Sequence, residues 1–238
     1  MSNSYFQFKQ FTVQQSDTAM KVNTDGVLLG AWASVENVTR ALDVGTGTGV
    51  IALMLAQRHP DALIDAVDID EASAKQAAVN VQESIWRERI QVVNSSFQQF
   101  AQHTAIRYDL IVSNPPYFVN ALLPPDGRRA VSRHTTALPY DDLLTSACIL
   151  LQPEGRLSVI LPYAESAMFM ALAADKGLHC THKVNVYSTI GKPPKRVLLS
   201  FMRQPAALHE SLLTIHAPFS ADYTTEYKML TQKFYLYF

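Results

Sequence analysis

The chain has 238 residues, a formal net charge of −1, 48% hydrophobic residues and a mean hydropathy of +0.01. That balance suits one water-soluble globular domain and excludes a disordered chain, and no apolar run approaches the roughly 20 residues a helical bilayer span requires. Near-neutral charge also removes any global attraction for nucleic acid, so such a partner has to be met by local patches.

Residues 1–39 precede the first clear strand, and the first ten lack the basic-then-apolar pattern of a secretion signal, so a cytoplasmic location with no membrane contact is expected. Tyr5-Phe-Gln-Phe-Lys9-Gln-Phe11 interleaves aromatics with a cation. That pattern suits stacking on unpaired bases, and equally an apolar strand with one solvated lysine. Thr24-Asp25 precedes an apolar run and reads either as a polar pair lying across a ligand pocket or as the start of a capped helix. Short β-branched runs then alternate with helical patterns, with strands predicted at 40–44, 63–68, 90–93, 108–113 and 156–161. Helices are predicted at 50–58, 71–84, 141–151 and 164–176, the last ended by Gly177. Such alternation builds a doubly wound parallel sheet with helices on both faces. Residues 178–188 and 196–202 break the pattern: two strands with no helix between them, expected as an antiparallel pair at a sheet edge. No repeat divides the chain, so one domain is expected, with an N-terminal extension (1–39), a catalytic core (40–204) and a C-terminal extension (205–238). The extensions and residues 118–139 should decorate the C-terminal edge of the sheet, where open α/β folds bind ligands.

Cys148 and Cys180 stand in apolar contexts without paired spacing and are expected as buried reduced thiols. No His/Cys/Asp grouping has zinc-ligand spacing, so no metal is expected.

Leu42-Asp43-Val44-Gly45-Thr46-Gly47-Thr48-Gly49 joins the first core strand to the first core helix. Glycines there let a nucleotide-like ligand approach the backbone with no Cβ in the way. The dinucleotide pattern Gly-x-Gly-x-x-Gly is missed by one residue, because the third glycine comes early and Val50 holds its place. The second strand ends Ala66-Val67-Asp68-Ile69-Asp70, and an acidic residue at that point can accept hydrogen bonds from both ribose hydroxyls while Asp70 caps the next helix. The Asp-x-Gly-x-Gly-x-Gly form resembles motif I of class I methyltransferases that use S-adenosylmethionine (SAM). The resemblance implies a Rossmann-like α/β fold of seven strands, mostly parallel, with a C-terminal antiparallel hairpin. It implies SAM as cofactor, held around Asp43, Gly45, Gly47 and Gly49, with Asp68 on the ribose, Ile69 against the adenine and Thr24 bordering the pocket. Ser96 stands where many relatives carry an acidic residue for the adenine amine; a hydroxyl accepts the same bond more weakly.

At the end of the fourth predicted strand comes Asn114-Pro115-Pro116-Tyr117. It resembles motif IV of methyltransferases acting on exocyclic amines of bases or on side-chain amides. The lone pair of such an amine is delocalised, so it is a poor nucleophile. Two acceptors aimed at its N–H groups, the Asn114 side-chain oxygen and the Pro115 carbonyl, favour a pyramidal nitrogen whose lone pair can attack. The prolines stiffen the turn, and Tyr117 offers a face for a flipped base. His103, His134 and His182 are not needed as bases, since the proton can leave to water after transfer.

Motif IV alone leaves adenine in DNA, bases in tRNA or rRNA, and protein glutamine amides as substrates. The outer segments narrow the choice. The blocks 5–11 and 20–30, Ser132-Arg133-His134-Thr135, Lys195-Arg196-Val-Leu-Leu199 and the closing Phe234-Tyr-Leu-Tyr-Phe238 resemble a bacterial family that methylates N6 of adenine at position 37 of a valine tRNA. The resemblance implies tRNA as partner, with no obligate protein partner. Chain length argues the same way, leaving no room for a DNA target-reading domain or a long helical N-terminal domain. Residues 183–203 carry five basic and no acidic residues, and Arg128, Arg129 and Arg133 form a second group. Lys9, Arg128, Arg129, Arg133, Lys192, Lys195 and Arg196 are the candidates for phosphate contact; a solvated loop is the competing reading of the same charges. A protein keeping the SAM fold as an RNA-binding module without catalysis is the alternative of a different class.

Overall fold

A computed structural model describes residues 3–16, 18, 20–116, 138–218 and 222–237. The first element is a hairpin of β1 (Tyr5–Gln7) and β2 (Thr12–Gln14). The core follows as α1 (Thr24–Trp32), β3 (Arg40–Val44), α2 (Val50–Arg58), β4 (Leu63–Asp68), α3 (Glu71–Gln82), β5 (Ile90–Asn94), α4 (Phe97–His103) and β6 (Tyr108–Ser113). Beyond residue 137 come α5 (Tyr140–Leu150), β7 (Leu151–Pro162), α6 (Ser166–Asp175), β8 (His179–Thr189), β9 (Arg196–Met202), β10 (His209–His216) and α7 (Thr225–Thr231).

Among the described residues one eight-stranded sheet forms, in the order β10-β8-β9-β7-β6-β3-β4-β5. β7, β6, β3, β4 and β5 run parallel, and β9 lies antiparallel between β7 and β8. The expected seven-stranded array is therefore present, with β10 added as an eighth strand. β10 pairs parallel to β8, so the β8–β9 hairpin is internal and not at the sheet edge as its sequence suggested. The reason is local: His209, Glu210 and Ser211 open this strand and are exposed, which leaves too short an apolar run to read as a strand. The C-terminal extension thus widens the sheet sideways instead of only decorating its C-terminal edge. α4 and α7, seven residues each, also lie outside the predicted helices.

Successive residues of each strand serve opposite faces. Ala41, Ile64, Leu110, Ile160 and Leu198 join one apolar cluster with α1 and α2. Leu42, Val67, Ile111, Val159 and Leu199 join the other with α5 and α6. Burial on both faces explains why these strands read as continuous apolar runs. Phe8 and Phe11 are buried and stacked 4.6 Å apart, which decides for the strand-and-core reading of that segment. The two thiols are unpaired and half-buried instead of fully buried. No helix among the described residues is long and apolar enough to cross a membrane.

Candidate cofactor and amine site

Register puts the ends of four parallel strands side by side. Val44 pairs with Ser113 on one flank and Val67 on the other, and Asp68 pairs with Asn94. Neighbouring strands are about 4.8 Å apart, so Asn114 lies roughly two spacings, ~10 Å, from Asp68, with the glycine loop between them. The loop's first helix follows β3 on one face while β6 lies beyond it, the switch point at which open α/β sheets bind ligands.

Each glycine of the loop has a positive φ: +71° at Gly45, +57° at Gly47 and +81° at Gly49. A Cβ at Gly45 or Gly47 would meet nothing within 4 Å, whereas one at Gly49 would press on Ala77 at 3.4 Å. The first two glycines therefore line an open cradle, and the third lets α2 pack on α3. Gly45 and Thr46 donate backbone hydrogen bonds to the Val67 carbonyl, at 2.8 and 3.1 Å, fastening the loop to β4.

Asp43 is completely buried. Its Oδ2 accepts from the Thr46 hydroxyl at 2.6 Å and the Ala52 N–H at 3.2 Å, and its Oδ1 has no partner among the described residues. Burial pushes this carboxyl up to about 7; the Thr46 and Ala52 bonds pull against that, and nearby Asp68 adds to it. Asp43 lies sealed from solvent next to the glycine loop, and its orphaned oxygen leaves a buried negative charge that a cationic ammonium held at the loop would offset. Asp68 accepts from the Gly47 N–H at 2.8 Å and the Asp70 N–H at 2.9 Å, and burial raises its pKa against those bonds. Its carboxylate is held at the cradle's rim with acceptor capacity to spare. Ile69, beside it, is 54% exposed, an apolar surface positioned to cover a planar ring. This donor set fits SAM: an anion for the ammonium, a carboxylate for the ribose diol and an apolar face for the adenine.

Ser96 caps α4, its Oγ accepting from the Gln99 N–H at 3.2 Å, so one of its two lone pairs is already used. Sequence reasoning missed Asn94, whose side-chain amide donates to the carbonyls of Asp68 at 2.9 Å and Ile69 at 3.2 Å and sets the angle of that turn. It also missed Asn80, 1% exposed, which donates to the carbonyls of Thr48 and Gln14 and accepts from the Gln14 N–H. Asn80 thereby binds the N-terminal hairpin to the glycine loop. No local signal marks either residue, because their partners are distant in sequence.

On the amine side, the Ser113 hydroxyl donates to the Val44 carbonyl at 2.9 Å and locks the end of β6 to the start of the glycine loop. Asn114 is half-buried, Pro115 buried and Pro116 exposed. Tyr117, Arg128, Arg129 and Arg133 lie outside the described residues. Thr24 is exposed at the first position of α1, which Asn23 caps by accepting from the Gly26 N–H at 2.9 Å. The helix-start reading of that segment is therefore correct, and Asp25 has a further role in pairing with Arg196 across to β9 at 2.8 Å.

The basic stretch is largely committed to structure. Arg196 pairs with Asp25, Lys183 with Glu210 at 2.9 Å, and Arg203 donates to the Cys148 carbonyl. Lys192 and Lys195 are exposed on the β8–β9 connection, at the same sheet edge as Asn114. Lys9 is exposed, with its ammonium on the Gln232 carbonyl at 2.7 Å. No group of three metal-ligating side chains occurs among the described residues.

Residues 25–167 match the methyltransferase small domain family. The chain is 46% identical to a tRNA1(Val) (adenine(37)-N6)-methyltransferase of Bacteroides thetaiotaomicron, over 100% of this chain and 99% of the relative. It is 47% identical to a protein of the same name from Serratia proteamaculans, over 98% of this chain and 90% of the relative. Among solved structures, a predicted O-methyltransferase from Agrobacterium tumefaciens superposes with a TM-score of 0.71 over 88% of this chain and 96% of that one, at 18% identity. At that identity the likeness speaks for the fold alone.

Proposed function

The chain belongs to the methyltransferase small domain family and to the tRNA1(Val) (adenine(37)-N6)-methyltransferases, and on that premise we propose that it methylates N6 of adenine 37 in the anticodon loop of a valine tRNA, with SAM as methyl donor. The reading is carried by one juxtaposition: the Asn114-Pro115 turn follows the strand that pairs with β3, whose own end opens into the glycine loop with free space at Gly45 and Gly47.

Asp43 would face the cofactor's ammonium, Gly45 and Gly47 would leave room for its backbone approach, and Asp68 would accept from the ribose hydroxyls. Ile69 would cover one adenine face, with Ser96 at the amine edge. Bound there, SAM supplies an electrophilic methyl carbon on a sulfonium. Asn114 and Pro115 present two acceptor oxygens to the N–H groups of the target amine, so its lone pair localises toward the cradle. Pro116 rigidifies the turn, and Tyr117 stacks on the flipped base. Extruding that base costs little because an anticodon loop is already single-stranded. Lys192 and Lys195, with Lys9 and the arginines at 128, 129 and 133, supply phosphate contacts. A cytoplasmic location accords with that substrate.

The test offers purified protein and labelled SAM separately to unmodified tRNA, duplex DNA and a protein extract, then digests labelled tRNA to nucleosides. N6-methyladenosine is expected, and Asn114→Ala should lower kcat at least ~100-fold while SAM affinity holds. Label in protein and none in tRNA would overturn the substrate and leave the cofactor site standing.

A further inference from the structure

The two extensions meet at a second cavity, apart from the glycine cradle. Lys9 donates its backbone N–H to the Phe234 carbonyl at 2.8 Å and its ammonium to the Gln232 carbonyl, tying the N-terminal hairpin to the segment after α7. Between them and the first turn of α1 lies a cavity of about 440 Å³, lined by Tyr223, Tyr227, Tyr235 and Tyr237 together with Asn23 and Thr24. None of the four tyrosines takes part in the site already described.

We propose that this cavity is a second nucleobase site, which takes an unpaired base of the same RNA whose adenine is methylated; the inference rests on the RNA reading above. Three observations favour a base as occupant. First, the wall is aromatic and pre-stacked: Tyr223 lies 4.9 Å from Tyr227 at 19°, and His216 lies 5.0 Å from Tyr223 at 25°. Tyr237, by contrast, is 91% exposed at the mouth. A large ring left in water beside a cavity has a planar partner to gain, and every base offers a π-face. Second, the lining has polar groups beside the rings: the exposed Thr24 hydroxyl stands at the N-terminus of α1, where base edges and phosphates both find donors, while the Asn23 amide next to it is engaged in capping the helix. The described segments that contribute the lining carry Lys9, Lys21, Lys228 and Lys233 against Asp25, Asp222 and Glu226, and Asp25 is already paired with Arg196, so the surround is weakly positive. Third, the cavity adjoins the methylation site. A Cβ on Gly26, in the same first turn of α1, would lie 3.6 Å from Val50, the residue that opens α2 directly after the glycine loop. Asp25, between the two, holds Arg196 at the edge where β9 begins. The cavity and the cofactor loop are thus joined through the first turns of α1 and α2, which places the proposed second base beside the one to be methylated.

The experiment uses the full chain and an RNA stem–loop carrying the target adenine, with 2-aminopurine replacing one other loop nucleotide at a time. One position should lose fluorescence on binding, as stacking on tyrosine quenches the probe. Tyr237→Ala should abolish that quench and raise the Kd for RNA roughly 5- to 150-fold, with SAM affinity unchanged, while Tyr237→Phe keeps both. Tyr237 is exposed, so its truncation does not threaten the fold. If no position is quenched and Tyr237→Ala binds RNA like the parent, while RNA methylation persists and still depends on Asn114, this inference is wrong and the proposed function stands. If the parent methylates no RNA, the proposed function falls and takes this inference with it.

Discussion

Asp43→Asn tests the fit of the cradle for a cation. The substitution keeps the shape, and Oδ of the amide can still accept from Thr46 and Ala52, but the site no longer ionises. In the parent the carboxyl is raised from 3.8 to about 7. A carboxyl whose folded pKa lies above its unfolded value keeps its proton longer in the native state. Stability is therefore fully present below about pH 4 and declines as pH rises to about 7. The gap of about 3 units corresponds to about 4 kcal/mol, the most this one group can remove. Urea unfolding of both proteins without ligand, at pH 4 to 8, measures it: the stability of Asp43→Asn relative to the parent should climb between pH 4 and 7 and then level off. SAM binding should show the reverse linkage, because an ammonium favours the ionised carboxylate. Parent affinity should tighten as pH rises from 6 to 8, and that of Asp43→Asn should stay nearly flat. Parallel pH curves for the two proteins, in unfolding and in binding, would refute the assignment of Asp43 as both the buried titrating group and the ammonium partner.

The glycines separate cradle from packing. Gly47→Ala has a φ of +57° to accommodate, so it should lose about 1–2 kcal/mol of stability, and calorimetry should record a further loss of SAM affinity because its new methyl enters the open cradle. Gly49→Ala, pressed against Ala77, should lose stability at least as much and SAM affinity less. Asn80→Ala removes three hydrogen bonds, the one to the Thr48 carbonyl buried and the two to Gln14 part-buried, and should cost about 2–4 kcal/mol, read as a lower melting temperature with faster amide exchange through residues 12–16.

The local grammar of the chain was legible from its residues. β3, β4 and β6 and helix α2 begin and end where the apolar runs, glycines and caps say they should, because each boundary is decided within a few residues. The cofactor loop and the Asn114 turn were legible for the same reason: their chemistry is written in consecutive positions. α4 escaped because seven residues give barely two turns of periodicity, and β10 because its first three residues are polar and exposed. Charge was the least readable property. A run of five cations resembled a nucleic-acid patch, yet Lys183, Arg196 and Arg203 are held by Glu210, Asp25 and the Cys148 carbonyl, partners 27, 171 and 55 positions away. The sequence by itself determined the alternating strands and helices of the core, the cofactor loop and the amine-facing turn, since these depend on neighbours in the chain. Only the tertiary structure decided which cations remain exposed, which carboxylate oxygen is left without a partner, and that both extensions close around one aromatic cavity. Those properties arise from contacts between residues that no local spacing connects.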